Sequence, residues 1–119
     1  MAKVELEVRV ESQPGYCVIH VVGPVDHHQY YKLEEAIQTQ LDRKQIRLVV
    51  DLSKLTYIVS AGLNVIGHAA SQFENVKGKI CYVRPAHFAQ WQFFTTVGVD
   101  QLLPWAGSLE EAVGRVTAP

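Results

Sequence analysis

Val4, Leu6, Val8 and Val10 alternate with Lys3, Glu5, Glu7, Arg9 and Glu11. Strict period-two alternation predicts a strand with one face on the core and the other in water. Ser12-Gln13-Pro14-Gly15 supplies turn chemistry, and the β-branched and aromatic run Tyr16 to Val22 completes a β-hairpin. Gly23-Pro24 is expected to end that strand. Asp26, three residues before Gln29, resembles a capping box. In the helix it opens, Tyr30, Leu33, Ile37 and Leu41 share one face at spacings of three, four and four.

The run Ile46 to Leu52 holds one Arg and one Asp among apolar residues, the pattern of a strand buried on both faces of a parallel sheet. Ser53 to Val59 reads as a short loop, and a second helix starts near Ser60. Leu63, Ile66, Ala70 and Phe73 are expected to face the sheet, with Asn64, His68, Ser71 and Gln72 toward solvent. Gly78 precedes a strand over Lys79 to Val83. Arg84-Pro85 is expected to start a third helix, and Gly98 to stop it, because glycine takes up left-handed φ without strain. Leu102-Leu103 reads as a short last strand limited by Pro104. Ser108 with Glu111 forms a second capping box, opening a helix through Val116. The order β-β-α-β-α-β-α-β-α implies an α/β fold: one small domain over residues 1–119, with a mixed, mostly parallel sheet of about five strands and about four helices.

Composition narrows the function. The 119 residues carry 11 Lys and Arg against 12 Asp and Glu, so no basic excess favours nucleic acid. No apolar run is long enough for direct membrane insertion, and Met1-Ala2-Lys3-Val4-Glu5 lacks a signal-peptide pattern, so a cytoplasmic protein is expected. Cys17 and Cys81 stand alone and are expected to be reduced core thiols.

Candidate chemistry is sparse. His27 and His28 are adjacent and diverge, and His20, His68 and His87 show no ligand spacing, so no metal is expected. No GxSxG, P-loop, GxGxxG or HExxH stretch is present, which argues against an enzyme and against a bound cofactor. Phe88, Trp91, Phe93 and Phe94 fall at helical spacing and read mainly as core. Partial exposure of Phe88 or Trp91 would instead mark a protein-binding patch. The most informative stretch is Leu52 to Val65, where a strand ends and a helix starts at Ser60-Ala61-Gly62. A hydroxyl there serves as an N-cap. An added phosphate would also be tolerated there, because free amides and the helix dipole favour negative charge. From the residue chemistry alone the plain cap is the simpler reading.

At this stretch the chain resembles the STAS family, the domain of bacterial anti-sigma factor antagonists. The resemblance lies in Val49-Val50-Asp51-Leu52-Ser53-Lys54-Leu55, then Tyr57-Ile58, then Val59-Ser60-Ala61-Gly62-Leu63. Gly23-Pro24-Val25-Asp26, Phe93-Phe94-Thr95-Thr96-Val97-Gly98-Val99 and Ser108-Leu109-Glu110-Glu111-Ala112 are similar to further family stretches in the same order. In two places the sequence departs from the family motif, with Val59 for its Asp and Ala61 for its second Ser; Pro85 to Gly98 is also a few residues longer.

The resemblance implies a small mixed α/β domain that captures a serine-kinase-type anti-sigma factor. It implies that this kinase phosphorylates Ser60 to end the capture, and that a Ser phosphatase resets the cycle. Asp26, His27, His28, Tyr57, Val59, Ala61, Gly62, Asn64 and His68 would form the partner-binding face. The departures at Val59 and Ala61 motivate the alternative of a non-phosphorylated STAS scaffold or regulatory subunit of a larger complex. Small-ligand or nucleotide sensing at the helix N-termini is a third reading.

Overall fold

The computed structural model describes residues 4–119; the expectations placed on Met1 to Lys3 lie outside the described residues. Its elements are β1 (Glu7–Gln13), β2 (Tyr16–Val25), α1 (Tyr30–Asp42), β3 (Arg47–Ile58), α2 (Ser60–Asn75), β4 (Lys79–Val83), α3 (Phe88–Val97), β5 (Trp105–Ala106) and α4 (Leu109–Thr117). The five strands lie in chain order across one sheet. β1 pairs antiparallel with β2, and every other pair is parallel. The expected element order and mixed sheet are therefore present.

Alternation along the central strands builds a core on each face of the sheet. Cys17, Ile19 and Val21 of β2, Leu48, Val50 and Leu52 of β3, and Ile80 and Tyr82 of β4 pack with α1, α2 and Phe94 of α3. Their neighbours Val18, Val49, Cys81 and Val83 pack with Ala112 and Val116 of α4 on the other face. Both cysteines are buried free thiols. Burial raises both thiols above their ordinary range, desolvation being the main cause.

Several boundaries differ from the expectations. The first strand begins at Glu7, and Val10 stays 41% exposed because β1 is an edge strand. Gly23-Pro24 does not end β2: Gly23 pairs with Leu55, Pro24 with Tyr57 and Val25 with Ile58. Gly23, at φ +103°, sits where the register shifts, a conformation glycine adopts without strain. That pairing also turns most of the expected Ser53–Val59 loop into strand. α2 presents Gly62, Val65, Ile66, Ala69 and Phe73 to the core, while Leu63 and Ala70 lie half-buried on its flank beside Val99 and Leu103. Gly62 lets the start of that face come close to the ends of β2 and β3.

The third helix starts at Phe88 rather than Arg84-Pro85. The Ala86 amide instead donates to the Ser53 carbonyl at 3.1 Å, holding this stretch beside β3. Gly98 ends α3 at φ +85°, as expected. The last strand is Trp105–Ala106, not Leu102-Leu103: Tyr82 donates its amide to the Pro104 carbonyl at 2.9 Å, and Leu102 is left 77% exposed. Ser108 caps α4, its hydroxyl accepting from the Glu111 amide at 3.1 Å. Glu111 reaches back to the Gly107 amide at 2.8 Å, one residue before the cap.

Candidate functional site

The carboxyl ends of β2 and β3 meet at one end of the sheet, and both chains turn there into helices. The Val59 amide donates to the Val25 carbonyl at 3.0 Å, so the loop after β2 and the start of α2 are tied together.

Ser60 is exposed and is the first residue of α2. It is not the N-cap. That position belongs to Val59, which is extended (φ −92°, ψ 168°) and accepts the Leu63 amide on its carbonyl at 3.1 Å. A valine side chain accepts no hydrogen bond, so the first turn of α2 has no side-chain cap and no acidic residue. Its amides and the positive end of the helix dipole lie beside the Ser60 hydroxyl.

The loop from Asp26 to His28 is ordered by its own carboxylate. Asp26 Oδ1 accepts the His28 amide at 3.0 Å, and Oδ2 accepts Gln29 Nε2 at 3.0 Å. The Gln29 side chain above all, helped by the His28 amide, holds the Asp26 carboxyl below its ordinary value against the opposing effect of desolvation. This is an Asx-type turn rather than the expected capping box: the residue before α1 is Gln29, whose side chain caps nothing. Gln29 spends its carboxamide elsewhere, accepting the Leu6 amide at 2.6 Å and donating to the Val4 carbonyl at 3.2 Å. Sequence reasoning missed this role, since the partners lie 23 and 25 residues away.

The candidate residues divide into those that present side chains and those that build the surface. His27, His28, Tyr57, Asn64 and His68 are exposed, and Asp26 and Ala61 are half-buried. Ser60, Asn64 and His68 follow one another at four-residue spacing along one face of α2, covering about 12 Å at 1.5 Å per residue. His68 ends this stripe in a groove of about 300 Å³ between α1 and α2, with Glu34 and Gln38 opposite. Val59 and Gly62 were expected to touch a partner, but both are buried. Gly62 has a packing task instead. A Cβ at that position would lie 2.7 Å from Ile58 Cγ1 and 2.7 Å from Val25 Cγ1, so only glycine lets α2 start this close to the two strand ends.

The expected aromatic core of α3 is only partly buried. Phe94 is enclosed and Trp91 is half-buried under Arg84, whose guanidinium lies 5.5 Å from the ring. Phe88 is 74% exposed and Phe93 39% exposed.

The STAS domain model matches residues 7–112, nearly the whole described chain. The chain belongs to the STAS domain family. It is 30% identical over 109 residues to BtrV of Bordetella bronchiseptica, named as an anti-sigma factor antagonist, covering 90% of this chain and 91% of that protein. The fold is similar to an anti-sigma factor antagonist from Mycobacterium paratuberculosis, with TM-score 0.84, 24% identity and 96% of each chain covered. It is also similar to the anti-sigma factor antagonist SpoIIAA in its unphosphorylated form, with TM-score 0.71, 21% identity, and 97% of this chain and 100% of that chain covered. The Bacillus SpoIIAA structure in its phosphorylated form matches at TM-score 0.69 and 21% identity, covering 92% of this chain and 99% of that one. Among the described residues of this STAS domain, no helix is long and apolar enough to cross a membrane.

Proposed function

We propose that this STAS domain is an anti-sigma factor antagonist that works as a phosphorylation-controlled partner switch. The end of the sheet around Ser60 docks a serine-kinase-type anti-sigma factor, with Asp26, His27, His28, Tyr57, Ala61, Asn64 and His68 as the contacting residues. Val59 and Gly62 act from beneath, by setting where α2 begins. The kinase phosphorylates Ser60, the charged form is released, and a Ser phosphatase restores the capturing form.

The observation that carries this reading is the exposed Ser60 hydroxyl on an uncapped helix start. A phosphate adds about −1.5 to −2 charge at neutral pH. Within the free domain the helix dipole and first-turn amides favour that charge, so the fold tolerates it. Within a docked surface the same charge must shed water and meet whatever groups face it, and charge mismatch at an interface costs several kcal/mol. The switch therefore needs little rearrangement of the domain.

The valine at position 59 favours a second reading, in which the domain is a non-phosphorylated scaffold or regulatory subunit. It is apolar and buried where the family motif has an acidic residue beside the acceptor. A pulldown from native-host lysate with wild-type, Ser60→Ala and Ser60→Asp baits separates the two. Recovery of a serine-kinase-like protein by the first two baits and its loss with Ser60→Asp supports the switch. Equal recovery of one partner by all three supports the fixed subunit.

A further inference from the structure

The outer edge of β1 is covered along part of its length and bare along the rest. The two-residue turn Pro14-Gly15 makes Gln13 and Tyr16 a hydrogen-bonded pair, so Glu7, Arg9 and Glu11 also bond to β2. The amides and carbonyls of the even-numbered residues then point away from the sheet. Leu6 has both of these groups satisfied: its amide donates to Gln29 Oε1 at 2.6 Å and its carbonyl accepts from Lys32 Nζ at 3.3 Å. Among the described residues, nothing comparable meets Val8, Val10 or Ser12.

We propose that this edge is a homodimer interface, in which β1 of a second copy of this chain pairs antiparallel with β1 about a two-fold axis at Val10. Charge selects that register. An axis at Val10 places Arg9 opposite Glu11 of the second copy, twice, and sets Val8 against Ser12 and Glu7 against Gln13. An axis at Arg9 opposes Arg9 to Arg9 and Glu7 to Glu11, and one at Glu11 opposes Glu11 to itself; like charges directly opposite destabilise a strand pair. An axis at Val8 draws in Leu6, whose outward groups are already taken.

The Val10 register joins the three bare residues of each copy and none of the covered ones. Arg9 has no ion pair among the described residues, and the pairing supplies one. A groove of about 590 Å³ between β1 and α1 opens along the same edge, with Val8, Val10 and Ala36 as apolar lining and Lys32, Glu35 and Arg43 among its charged walls. It receives the Val8 and Val10 side chains of the second copy. The seam follows the side of the sheet, whereas Ser60 stands at its carboxyl end, so pairing leaves the Ser60 face open.

One strand pair is a small interface compared with the roughly 1,600 Å² of a standard complex, so the dimer is weak and concentration-dependent. Sedimentation equilibrium of the full chain from micromolar to millimolar concentration tests it. Wild type is expected to be a reversible dimer, and Arg9→Glu or Glu11→Arg to weaken association by at least about tenfold. An equimolar mixture of the two variants is expected to dimerise again, because each supplies the charge the other lacks. Glu11 also pairs with His20 at 3.0 Å, so circular dichroism accompanies each variant. Val10→Pro removes a donor that β2 does not use, at an outward-facing position of an edge strand where proline is tolerated, and is expected to be monomeric with a near-wild-type melt. A monomeric wild type at every concentration, a dimer that survives Val10→Pro, or a mixture of folded variants that stays monomeric overturns the proposal.

Discussion

Val59 donates its backbone amide to the carbonyl of Val25 at 3.0 Å, and this one bond fixes where the start of α2 stands relative to the loop after β2. Val25 pairs with Ile58 in the parallel ladder, so the bond extends the β2–β3 pairing by one step after β3 ends. Ser60 and Asp26 are the next residues on either side. The geometry of the candidate site therefore depends on how close α2 can come to the two strand ends.

That closeness makes Gly62 the most sensitive residue beneath the surface. In Gly62→Ala the new methyl falls 2.7 Å from Val25 Cγ1 and Ile58 Cγ1, so one or both of these buried core side chains must shift. Overpacking of this kind costs about 1–3 kcal/mol. Thermal and urea unfolding are expected to show that loss. A variant as stable as wild type would mean that the strand ends yield more easily than their packing indicates.

Charge at position 60 is expected to affect the free domain in the direction opposite to its effect on binding. Ser60→Asp adds a negative group to an uncapped first turn and should stabilise the domain by about 0.3–1 kcal/mol at low salt, whereas Ser60→Lys should destabilise it. Both effects should shrink as salt is added. Partner capture by Ser60→Asp is expected to be lost nonetheless. Unfolding curves with no difference between Asp and Lys would show that the first-turn amides are not electrostatically exposed.

The legible parts of this fold were those governed by neighbours in sequence. Ser108 and Glu111 are three residues apart, and Gly98 meets only the turn it ends, so cap and stop could be read directly. The double-sided burial of Leu48, Val49 and Val50 was legible because a continuous apolar run has few other uses. What could not be read was set by distant pairing. β3 runs to Ile58 because the end of β2 lies beside it, across register shifts that no local pattern announces. The same extension moved the cap from Ser60 to Val59. Asn64 and His68 were legible as solvent-facing and Ser60 as an exposed hydroxyl at the helix start, whereas the burial of Gly62 depends on Val25, 37 positions earlier.

Gln29 is expected to hold the amino-terminal stretch against the sheet. Its carboxamide serves Leu6, Val4 and Asp26 together. Gln29→Ala leaves the Leu6 amide and the Asp26 carboxylate short of a partner, at a cost of about 1 kcal/mol for each net hydrogen bond lost. Hydrogen exchange should show faster exchange at Leu6 and His28 with little change in β4. Unchanged protection at Leu6 would mean that burial alone holds that segment.

Alkaline solution should unfold this domain through three buried acids. Burial pushes the Tyr82 phenol well above its ordinary value of 10.0. It also raises the Cys17 and Cys81 thiols above 9.0. The Tyr82 hydroxyl donates to the Ile66 carbonyl of α2 at 2.6 Å, a bond that the phenolate cannot make. A raised pKa in the folded state means that the unfolded chain releases these protons first. The stability these groups contribute is thus complete below pH 9.0 and falls as pH rises beyond it, more steeply above 10.0. Urea unfolding across that range should show the fall. Tyr82→Phe should be weaker by about 1 kcal/mol at neutral pH, through the lost hydrogen bond. Above pH 10.0 it should lose less stability than wild type, because it has no phenol to ionise on unfolding. If the two proteins lose stability in parallel, Tyr82 is not the group that titrates, and the alkaline loss belongs to the thiols or to net charge.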